Sequence, residues 1–437
     1  MSKPIVAIIG RQNVGKSTLL NRLAGRRIAI VEDMPGTTRD RVAADVSWRG
    51  TEFTVVDTGG LELKPQSSVA REVREQVEVA IAEADVIIFL VDVRDGVIAT
   101  DQEVASMLRR ANKPVLLVVN KADNDRLEAQ ALEFYELGIG EPLPVSAHHG
   151  RGTAELLDKI GALLPPPSPV EVEAEIIKVA IVGRPNVGKS MLLNALLGQE
   201  RAIVDEAPGT TRDAIDTPLD FEGQSVLLID TAGIRRRGRL GTGVERYSVI
   251  RALRAIDRAD VVLLVLDATE VLAAQDTHIA GYIQQAARGI VLVVNKWDLV
   301  PGQNRVEWNK YIRSQLRFMS YAPVLYVSAK FGQGVNEVMP QVFHVYQERL
   351  RRIPVAQVNS VVTQAVASHS PPRKGGKQLK VINAAQTQVN PPTFEISVND
   401  AKLIHFSYHR YLENRLRQSF GFTGTPLRLI FKTRSSS

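Results

Sequence analysis

Cysteine is absent from the 437 residues of the chain. This absence excludes disulfide bonds, a cysteine nucleophile, cysteine-ligated zinc and any lipid anchor attached through cysteine. It fits a reducing compartment, and we expect a cytoplasmic protein. Long apolar runs are also missing, since none approaches the roughly 18–20 residues that a transmembrane helix needs, and we expect no membrane-spanning segment. The 44% of hydrophobic and 23% of charged residues are typical of a globular fold and exclude disorder, collagen and coiled coil for most of the chain.

Acidic residues are scarce in one part of the chain only. Residues 355–437 contain 11 lysines and arginines but 3 acidic residues, a net charge of +8. The other 354 residues carry 43 basic and 45 acidic residues, a net charge of −2. A basic terminal region on a near-neutral body favours a polyanionic partner, with nucleic acid first.

The chain contains one set of sequence strings twice. Three strings recur at a constant spacing of 173 residues: 10–17 with 183–190, 35–40 with 208–213, and 57–60 with 230–233. Two more recur at 175 and 182 residues: 120–123 with 295–298, and 146–147 with 328–329. Identical spacings followed by two small insertions indicate a duplicated domain, and the period is far too long for a solenoid.

Proline marks the predicted domain boundaries. The string Pro165-Pro-Pro-Ser-Pro169, followed by three glutamates, favours an extended spacer. A second boundary falls where a helical pattern ends at Pro354. We therefore predict a first domain over 1–164, a linker over 165–175, a second domain over 176–353 and a basic domain over 354–437.

Short apolar runs alternate with helical patterns in each copy. Runs at 5–9, 86–91 and 115–119 in the first copy, and their counterparts in the second, are continuous rather than alternating. Such runs predict a doubly wound, mostly parallel α/β sheet covered on both faces. Ligands of these sheets bind at the carboxyl ends of the strands, where most of the repeated strings lie.

The string Gly-x-x-x-x-Gly-Lys-Ser follows the first strand of each copy and opens a helix. Its glycines let backbone N–H groups point at phosphate oxygens, and the helix N-terminus adds partial positive charge. We expect Lys16 and Lys189 to reach the β- and γ-phosphates, and Ser17 and Ser190 to hold Mg²⁺. The predicted phosphate-binding residues are Gly10, Arg11, Gln12, Asn13, Val14, Gly15, Lys16, Ser17, Gly183, Arg184, Pro185, Asn186, Val187, Gly188, Lys189 and Ser190.

An Asp-x-x-Gly string follows a strand about 40 residues after each phosphate loop. Its carboxylate can hold the hydration shell of Mg²⁺, and its glycine N–H can sense the γ-phosphate. The predicted residues are Asp57, Thr58, Gly59 and Gly60 in the first copy and Asp230, Thr231, Ala232 and Gly233 in the second.

An Asn-Lys-x-Asp string then selects the base. Its aspartate can accept two hydrogen bonds from guanine, whereas adenine offers no such donor pair, so the string favours GTP over ATP. The Ser-Ala strings fit a loop that closes over the base. The predicted base-binding residues are Asn120, Lys121, Ala122, Asp123, Ser146 and Ala147, with Asn295, Lys296, Trp297, Asp298, Ser328 and Ala329 in the second copy.

The string Pro-Gly-Thr-Thr-Arg-Asp predicts a loop whose order depends on the bound nucleotide. Thr38 and Thr211 can ligate Mg²⁺ only when a γ-phosphate is present, which orders the loop. The alternative is an ordinary capping pair of threonines.

Both copies lack the glutamine side chain that orients the attacking water in many GTPases, so another group is needed for catalysis. Leu61 and Ile234 stand where many GTPases place a water-orienting glutamine, so intrinsic hydrolysis is expected to be slow. An amide oxygen of Asn13 or Asn186 could ligate a monovalent cation beside the phosphates; alternatively these side chains only brace the loop. We assign catalytic roles to Asn13, Lys16, Thr38, Asn186, Lys189 and Thr211.

Two basic regions are candidate RNA contacts. Arg235, Arg236, Arg237 and Arg239 follow the second switch string, where they are either a solvated loop or contacts to a phosphate backbone or a catalytic arginine supplied in cis. The basic domain has the predicted order α-β-β-α-β, with Tyr408 and Tyr411 among its lysines and arginines, a combination that suits RNA. A solvated basic face over core aromatics is the alternative, and residues 421–424 are predicted to be a turn.

These strings together resemble the EngA (Der) family of bacterial double GTPases over essentially the whole chain. The most specific parts are residues 35–40, 184–190, 208–213, 295–298, 391–394 and 407–414. The resemblance implies two P-loop GTPase domains followed by a small KH-like α/β domain, and a role in assembly of the large ribosomal subunit. It also implies potassium-stimulated hydrolysis through Asn13 and Asn186, and Mg²⁺ ligation by Ser17, Thr38, Ser190 and Thr211, to which the residues themselves add Asp57 and Asp230.

Three departures from the family pattern stand out. Gln12 replaces a usual proline, and Met191 replaces a usual serine or threonine, and neither change removes a predicted ligand. Residues 380–386 lack the usual tyrosines, which affects the surface predicted to face RNA.

The predicted function is a GTP-dependent switch that binds ribosomal RNA or its proteins and releases them on hydrolysis. A GTP-gated RNA-modification or processing factor is the alternative, but it needs a second catalytic cluster, and none is found. A membrane-recruited signalling GTPase lacks an anchor, and an ATP-using kinase conflicts with both guanine strings. We expect a monomer that binds the large subunit and its rRNA through the basic domain, with the 235–239 loop as a second contact.

Overall fold

The computed structural model of the chain describes residues 3–25, 43–58, 77–78, 80–164, 176–199, 202–203, 216–231, 249–270, 272–371, 373–374 and 377–433. The chain divides into two compact units, one formed by residues 1–170 with 248–254 and the other by residues 171–247 with 255–437. None of the helices in the described ranges combines the length and apolar character needed to cross a bilayer.

The first unit is built on a six-stranded sheet with the strand order β2-β3-β1-β4-β5-β6. Its strands are β1 (Ile5–Ile9), β2 (Ala43–Trp48), β3 (Thr51–Asp57), β4 (Val86–Asp92), β5 (Val115–Asn120) and β6 (Leu143–Pro144). Its helices are α1 (Lys16–Ala24), α2 (Ala99–Leu108), α3 (Asp125–Gln130), followed by the 3₁₀-helix Ala131–Leu137, and α4 (Thr153–Leu163).

Strand β1 shows why the sheet is covered on both faces. Val6 and Ile8 join a core cluster with residues of α1 and α4. Their neighbours Ile5 and Ile9 point to the opposite face and are 0% exposed. The strand pairs in parallel with β3 and β4, so its carboxyl end and theirs meet at one edge.

An antiparallel hairpin at the sheet edge departs from the parallel pattern. Strands β2 and β3 pair antiparallel, and the Arg49-Gly50 turn between them has positive φ at both residues, 46° and 86°. This combination matches the twist of a two-residue hairpin. The partly exposed strand β2 has no continuous apolar run, which is why the sequence pattern did not predict it.

The second unit repeats this sheet with the order β13-β12-β11-β7-β10-β9-β8. Its strands are β7 (Ile177–Val182), β8 (Ala202–Ile203), β9 (Thr217–Phe221), β10 (Gln224–Ile229), β11 (Val261–Asp267), β12 (Gly289–Asn295) and β13 (Val324–Tyr326). Its α-helices are α5 (Lys189–Leu197), α7 (Ala274–Gln285), α8 (Arg305–Gln315) and α9 (Val338–Leu350). Helix α6 (Val249–Arg258) belongs to the first unit up to residue 254 and to the second unit from residue 255. Short 3₁₀-helices cover Trp297–Leu299, Pro301–Gln303, Arg317–Met319 and Val335–Glu337.

The last part of this unit has its own core. Strands β16 (Val381–Gln388), β17 (Thr393–Val398) and β18 (Arg428–Thr433) form a three-stranded sheet that packs on α10 (Val355–Ser368) and α11 (Phe406–Phe420). A small pair, β14 (Arg373–Lys374) and β15 (Lys377–Gln378), precedes it, and the 3₁₀-helix Ala401–Leu403 lies between β17 and α11. The order α-β-β-α-β matches the predicted one, with this small pair added.

A buried arginine links the two parts of the second unit. Arg349, near the end of α9, is 0% exposed, and burial lowers its pKa to about 10. Its guanidinium donates to Asn390 Oδ1 at 2.6 and 2.9 Å, to Ala287 O at 3.0 Å and to Thr425 Oγ1 at 3.3 Å. Ala287 lies just before β12, whereas Asn390 and Thr425 lie in loops of the basic domain, so one desolvated cation links the loop before β12 to the basic domain.

The predicted turn at 421–424 is present, and it also has a packing role. Thr425 N donates to Phe422 O across the turn at 3.3 Å. Gly424 receives a bond from Ile290 N at 2.7 Å and donates to Tyr321 O at 2.8 Å. A Cβ at Gly424 would lie 2.3 Å from a methyl group of Val345, so the turn requires glycine for this close approach.

Candidate nucleotide sites

Glycine at the end of each phosphate loop is required by a close contact. Gly15 has φ 98°, and a Cβ there would lie 2.4 Å from Asn120 Nδ2. Gly188 has φ 96°, and its Cβ would lie 2.2 Å from Asn295 Nδ2. The loops therefore curl tightly against the strands that carry the Asn-Lys-x-Asp strings.

Asn120 links two loops of the first site. Its amide nitrogen donates to Val14 O at 2.7 Å, and its amide oxygen accepts from Ala147 N at 3.0 Å. In the second site, Asn295 makes the corresponding bonds at 2.9 and 3.0 Å. The asparagine of this string thus positions the phosphate loop and the Ser-Ala loop.

The phosphate-loop lysines are held inside their loops. Lys16, 8% exposed, donates from Nζ to Gly10 O at 2.7 Å and to Arg11 O at 2.8 Å. Lys189, also 8% exposed, donates to Gly183 O at 3.0 Å. The carbonyl oxygens hold each ammonium group at the carboxyl end of the first strand, at the start of the helix.

A hydroxyl and a carboxylate meet beside the first loop. Ser17 Oγ donates to Asp57 Oδ2 at 2.6 Å. Both groups are oxygen ligands of the kind that Mg²⁺ prefers. In the second copy, Asp230 has φ 56°, and its N–H donates to Asp216 Oδ1 at 2.8 Å, so the backbone at this position differs.

The base-reading aspartates of the two copies have different surroundings. Asp123 accepts at 2.6 Å from Ser146 Oγ and at 2.6 Å from Arg94 Nη2, and these contacts, the serine first, lower its pKa. In the described part of the chain, Asp298 has no hydrogen-bond or ion-pair partner. Ser328 Oγ is buried there without a partner among the described residues.

The lysine of each Asn-Lys-x-Asp string forms an ion pair with an aspartate at the end of the neighbouring strand. Lys121 and Lys296 have φ 65° and 61°, an unusual conformation for side chains of this type. Lys121 pairs with the buried carboxylate of Asp92, and Lys296 pairs with Asp267 at 2.5 Å. The two aspartates end the equivalent strands β4 and β11, so the contact is a duplicated feature.

The arginine of each phosphate loop is turned toward carboxylates. Arg184 Nε lies 2.8 Å from Asp276, which is 1% exposed and whose pKa is raised by burial. In the first copy, Arg11 lies 2.5 Å from Asp95 and 3.8 Å from the buried Asp101. These side chains anchor the loop to the helix that follows β4 or β11.

Some of the remaining predicted residues have described contacts, and the others lie outside the described residues. Thr58 donates to Ile8 O at 2.8 Å, and Thr231 shares a hydrogen bond with Thr217 at 2.6 Å. Trp297 is 4% exposed and packs on Tyr326 at 4.4 Å between ring centroids. The predictions on Thr38, Thr211, Gly59, Gly60, Ala232, Gly233, Leu61, Ile234, the arginines at 235–239 and the linker 165–175 lie outside the described residues.

The aromatic residues of the basic domain correct one expectation. Tyr408 is buried and donates to His369 O at 3.0 Å, and Tyr411 donates to Ala365 O at 2.9 Å. Both hydroxyl groups bind carbonyls at the end of α10, and the buried ring of Tyr408 is not available for stacking on bases. Arg417 is also internal, since it lies 4.1 Å from the ring centroid of Tyr321.

The exposed cations of this domain are other residues. In the part of it whose burial the structure describes, the exposed basic side chains are Lys380, Lys402, Arg410, Arg428 and Lys432. Lys432 pairs with Glu395 at 2.6 Å. Arg415 and Arg417, in contrast, are only partly exposed.

Sequence reasoning missed several residues around the sites. Asp92, Asp267, Asp101 and Asp276 recur at the spacing of 175 residues that the Asn-Lys-x-Asp strings show, so the duplication itself could have found them. Arg94 could not be found that way, because Thr269 occupies the equivalent position.

Three segments of the chain match two known protein families. Residues 5–121 and 178–296 each match the family described as "50S ribosome-binding GTPase". Residues 352–432 match the family "KH-domain-like of EngA bacterial GTPase enzymes, C-terminal". Two GTPase domains in tandem, followed by a KH-like domain, define a GTP-hydrolysing enzyme with two P-loop repeats.

Similar sequences over the full length identify the family of GTPases to which the chain belongs. The chain is 52% identical to GTPase Der of Moorella thermoacetica and 50% identical to GTPase Der of Chloroflexus aggregans, with 99% of each chain covered in both cases. The chain belongs to the EngA (Der) family. A solved structure of Aquifex aeolicus Era bound to GDP and AlF₄⁻ is 29% identical over 48% of this chain and 75% of that chain, with a TM-score of 0.32.

Proposed function

We propose that this double GTPase is a nucleotide-dependent switch in assembly of the large ribosomal subunit. The observation that carries the proposal is the packing of the basic domain on the second GTPase sheet through Arg349 and the 421–424 turn. A domain fixed in this way moves with the GTPase sheet. The match to the family described as "50S ribosome-binding GTPase" supports the choice of partner.

The phosphate roles follow from the loop geometry. Lys16 and Lys189 leave their carbonyl partners for the β- and γ-phosphates, where their charge is needed. Ser17 with Asp57, and Ser190 with Asp230, hold Mg²⁺, with Thr38 and Thr211 completing the site in the GTP state. The 2.6 Å contact of Ser17 with Asp57 supports this assignment, because it places a hydroxyl oxygen and a carboxylate oxygen close enough to serve one ion, directly or through its bound water. Bound Mg²⁺ supplies positive charge between the β- and γ-phosphates.

A second cation, K⁺, is assigned to Asn13 and Asn186. Both residues are exposed at left-handed backbone positions, with φ 65° and 63°. Asn120 and Asn295 already brace the loops through their amides, which supports a different role for Asn13 and Asn186. The residues present fit a cation that would add charge beside the phosphates, where a missing glutamine or arginine leaves hydrolysis slow.

The base roles follow from the strand ends. Asp123 and Asp298 accept the two guanine N–H groups, while Lys121 and Lys296 cover the ring from their fixed positions. The Ser-Ala loops close the sites, since they are tied to Asn120 and Asn295. The proposed domains are 1–164, 176–353 and 354–437, in a monomer of the bacterial cytoplasm.

Ribosome binding is assigned to the exposed cations of the basic domain, with the arginines at 235–239 as a second contact. Phosphate contacts of lysine and arginine give most of the affinity of such surfaces and make it fall steeply with salt. Each nucleotide state would set how the GTPase domains and the basic domain meet the RNA.

Co-sedimentation with ribosomal subunits at fixed salt tests this function. We expect retention on the large subunit with a non-hydrolysable GTP analogue and release with GDP or without nucleotide. Retention that is equal in every state, or absent in every state, would contradict the switch and leave the GTPase activity without this role.

A pair of charge variants makes the test specific to the basic domain. Lys402→Glu with Arg410→Glu reverses two exposed cations of this domain and should abolish retention in every nucleotide state. Arg110→Glu with Arg126→Glu changes the net charge equally at exposed positions of the first unit and should retain binding.

A further inference from the structure

The first nucleotide site contains an arginine that its duplicate lacks. Arg94 lies in the turn after β4, and its Nη2 is 2.6 Å from Asp123 Oδ2. The other carboxylate oxygen, Oδ1, accepts from Ser146 at 2.6 Å. Both oxygens of the proposed guanine-reading carboxylate therefore have a partner before any base arrives.

The contact of Arg94 with Asp123 resembles the contact that we propose between guanine and Asp123. Guanine offers a carboxylate two N–H groups on neighbouring nitrogens, and a guanidinium group presents N–H donors in the same planar arrangement. Arg94 also carries a full positive charge, which guanine does not. Its contact and the guanine contact use the same oxygen atom, Oδ2, so an incoming base must share that oxygen with Arg94 or displace it.

The second site is a natural control for this feature. The turn after β11 has the same backbone bond, since Thr269 N donates to Asp267 Oδ1 at 2.9 Å and Arg94 N donates to Asp92 Oδ1 at 3.0 Å. In this turn the two copies differ in the side chain, which is arginine in the first and threonine in the second. The base sites also differ in the serine contact, since Ser146 donates to Asp123 and Ser328 Oγ has no partner among the described residues. Among the described residues, Asp298 has no partner that a base would have to displace.

We propose that Arg94 competes with guanine for Asp123, so that the first site binds guanine nucleotides more weakly than it would with the threonine of the second site. The inference rests on the proposed base-reading role of Asp123. It makes Arg94 a residue that sets the difference in affinity between the two sites without touching the phosphates.

The size of the effect follows from the exposure of the pair. The side chain of Arg94 is 58% exposed and that of Asp123 is 22% exposed. Exposed ion pairs are weak and are screened by salt, so we expect a change in affinity of about two- to fivefold at low salt. The change should shrink toward one at about 0.5 M salt, where the Debye length is only a few ångströms.

The experiment uses the full chain with one site redirected. Asp298→Asn makes the second site prefer xanthosine nucleotides, which leaves the first as the GDP site, and equilibrium dialysis then gives its Kd for GDP. Adding Arg94→Thr should lower this Kd about two- to fivefold. The mirror chain carries Asp123→Asn, and there Thr269→Arg should raise the Kd of the second site for GDP, while Thr269→Ala controls for the lost hydroxyl.

A double-mutant cycle separates competition from a structural role. In the Asp123→Asn chain, the first site is read with XDP in excess GDP, and Arg94→Thr should no longer change its Kd, because the ion pair is absent. Tighter GDP binding that disappears in this background supports the competition. Unchanged GDP affinity, or weaker binding because Arg94 contacts the bound base, overturns it.

Failure of the base assignment has a different signature. If the Asp298→Asn chain still binds two GDP molecules, the base-reading role of the aspartates is wrong, whatever Arg94→Thr does. If it binds one GDP and Arg94→Thr changes nothing, the sites stand and only the competition is wrong.

Discussion

Replacing both base-reading aspartates, with Asp123→Asn and Asp298→Asn, should lower kcat/KM for GTP by at least about 100-fold and create activity toward XTP. A site built to pair with donor N–H groups discriminates strongly against a ligand that leaves its polar groups unpaired. The Ser146 hydroxyl, and after it Arg94, lower the pKa of Asp123, so the carboxylate that is lost is ionised at neutral pH. Steady-state phosphate release with GTP and with XTP measures the change.

Single variants provide the control for this exchange of specificity. Each should convert one site only, so that the chain needs both GTP and XTP for full turnover. Unaltered GTP turnover in the double variant would contradict the assignment of both strings.

Replacing the phosphate-loop asparagines with glycine should abolish the stimulation of GTP hydrolysis by K⁺ over Na⁺. Asn13→Gly and Asn186→Gly keep the left-handed backbone, which glycine adopts readily, and remove only the amide. Loss of one preorganised group that stabilises developing charge lowers kcat by about 100-fold. Hydrolysis rates in KCl and in NaCl, with GDP affinity measured in parallel, separate this effect from a damaged loop.

Alanine variants at the same positions give a further comparison. Asn13→Ala removes the amide and also strains the backbone, so it should weaken GDP binding where the glycine variant does not. Persistence of a K⁺ preference in both glycine variants would show that the cation, if bound, has other ligands.

Local patterns predicted the parts of the fold that bury continuous apolar runs. Strand β1 matches its predicted bounds, and β4 extends only one residue further, because fully buried strands carry their signal in adjacent residues. In the two GTPase sheets, strands β2, β6, β8, β9 and β13 were not predicted. Strands β6, β8 and β13 have only two or three residues, β2 is half-exposed, and Pro218 interrupts the apolar residues of β9.

The sequence predicted the parts of the nucleotide sites that are formed by one continuous string. It did not predict contacts between segments that are distant in the sequence. The loops and their strand-end positions follow from spacing. The contacts of Asp92 with Lys121 and of Arg94 with Asp123 each join segments 29 residues apart, and only the folded sheet brings them together. Tyr408 and Tyr411 look like RNA-binding rings in the sequence, but their hydroxyl groups are used on α10.

The duplication makes the most direct test of the account a count of bound nucleotides. Equilibrium dialysis of the wild-type chain with GDP should give two molecules per chain, and a large excess of ATP should displace neither. The same measurement with the Asp298→Asn chain should give one. A count of one for the wild type, or displacement of GDP by ATP, would contradict the claim that both copies are guanine-nucleotide sites.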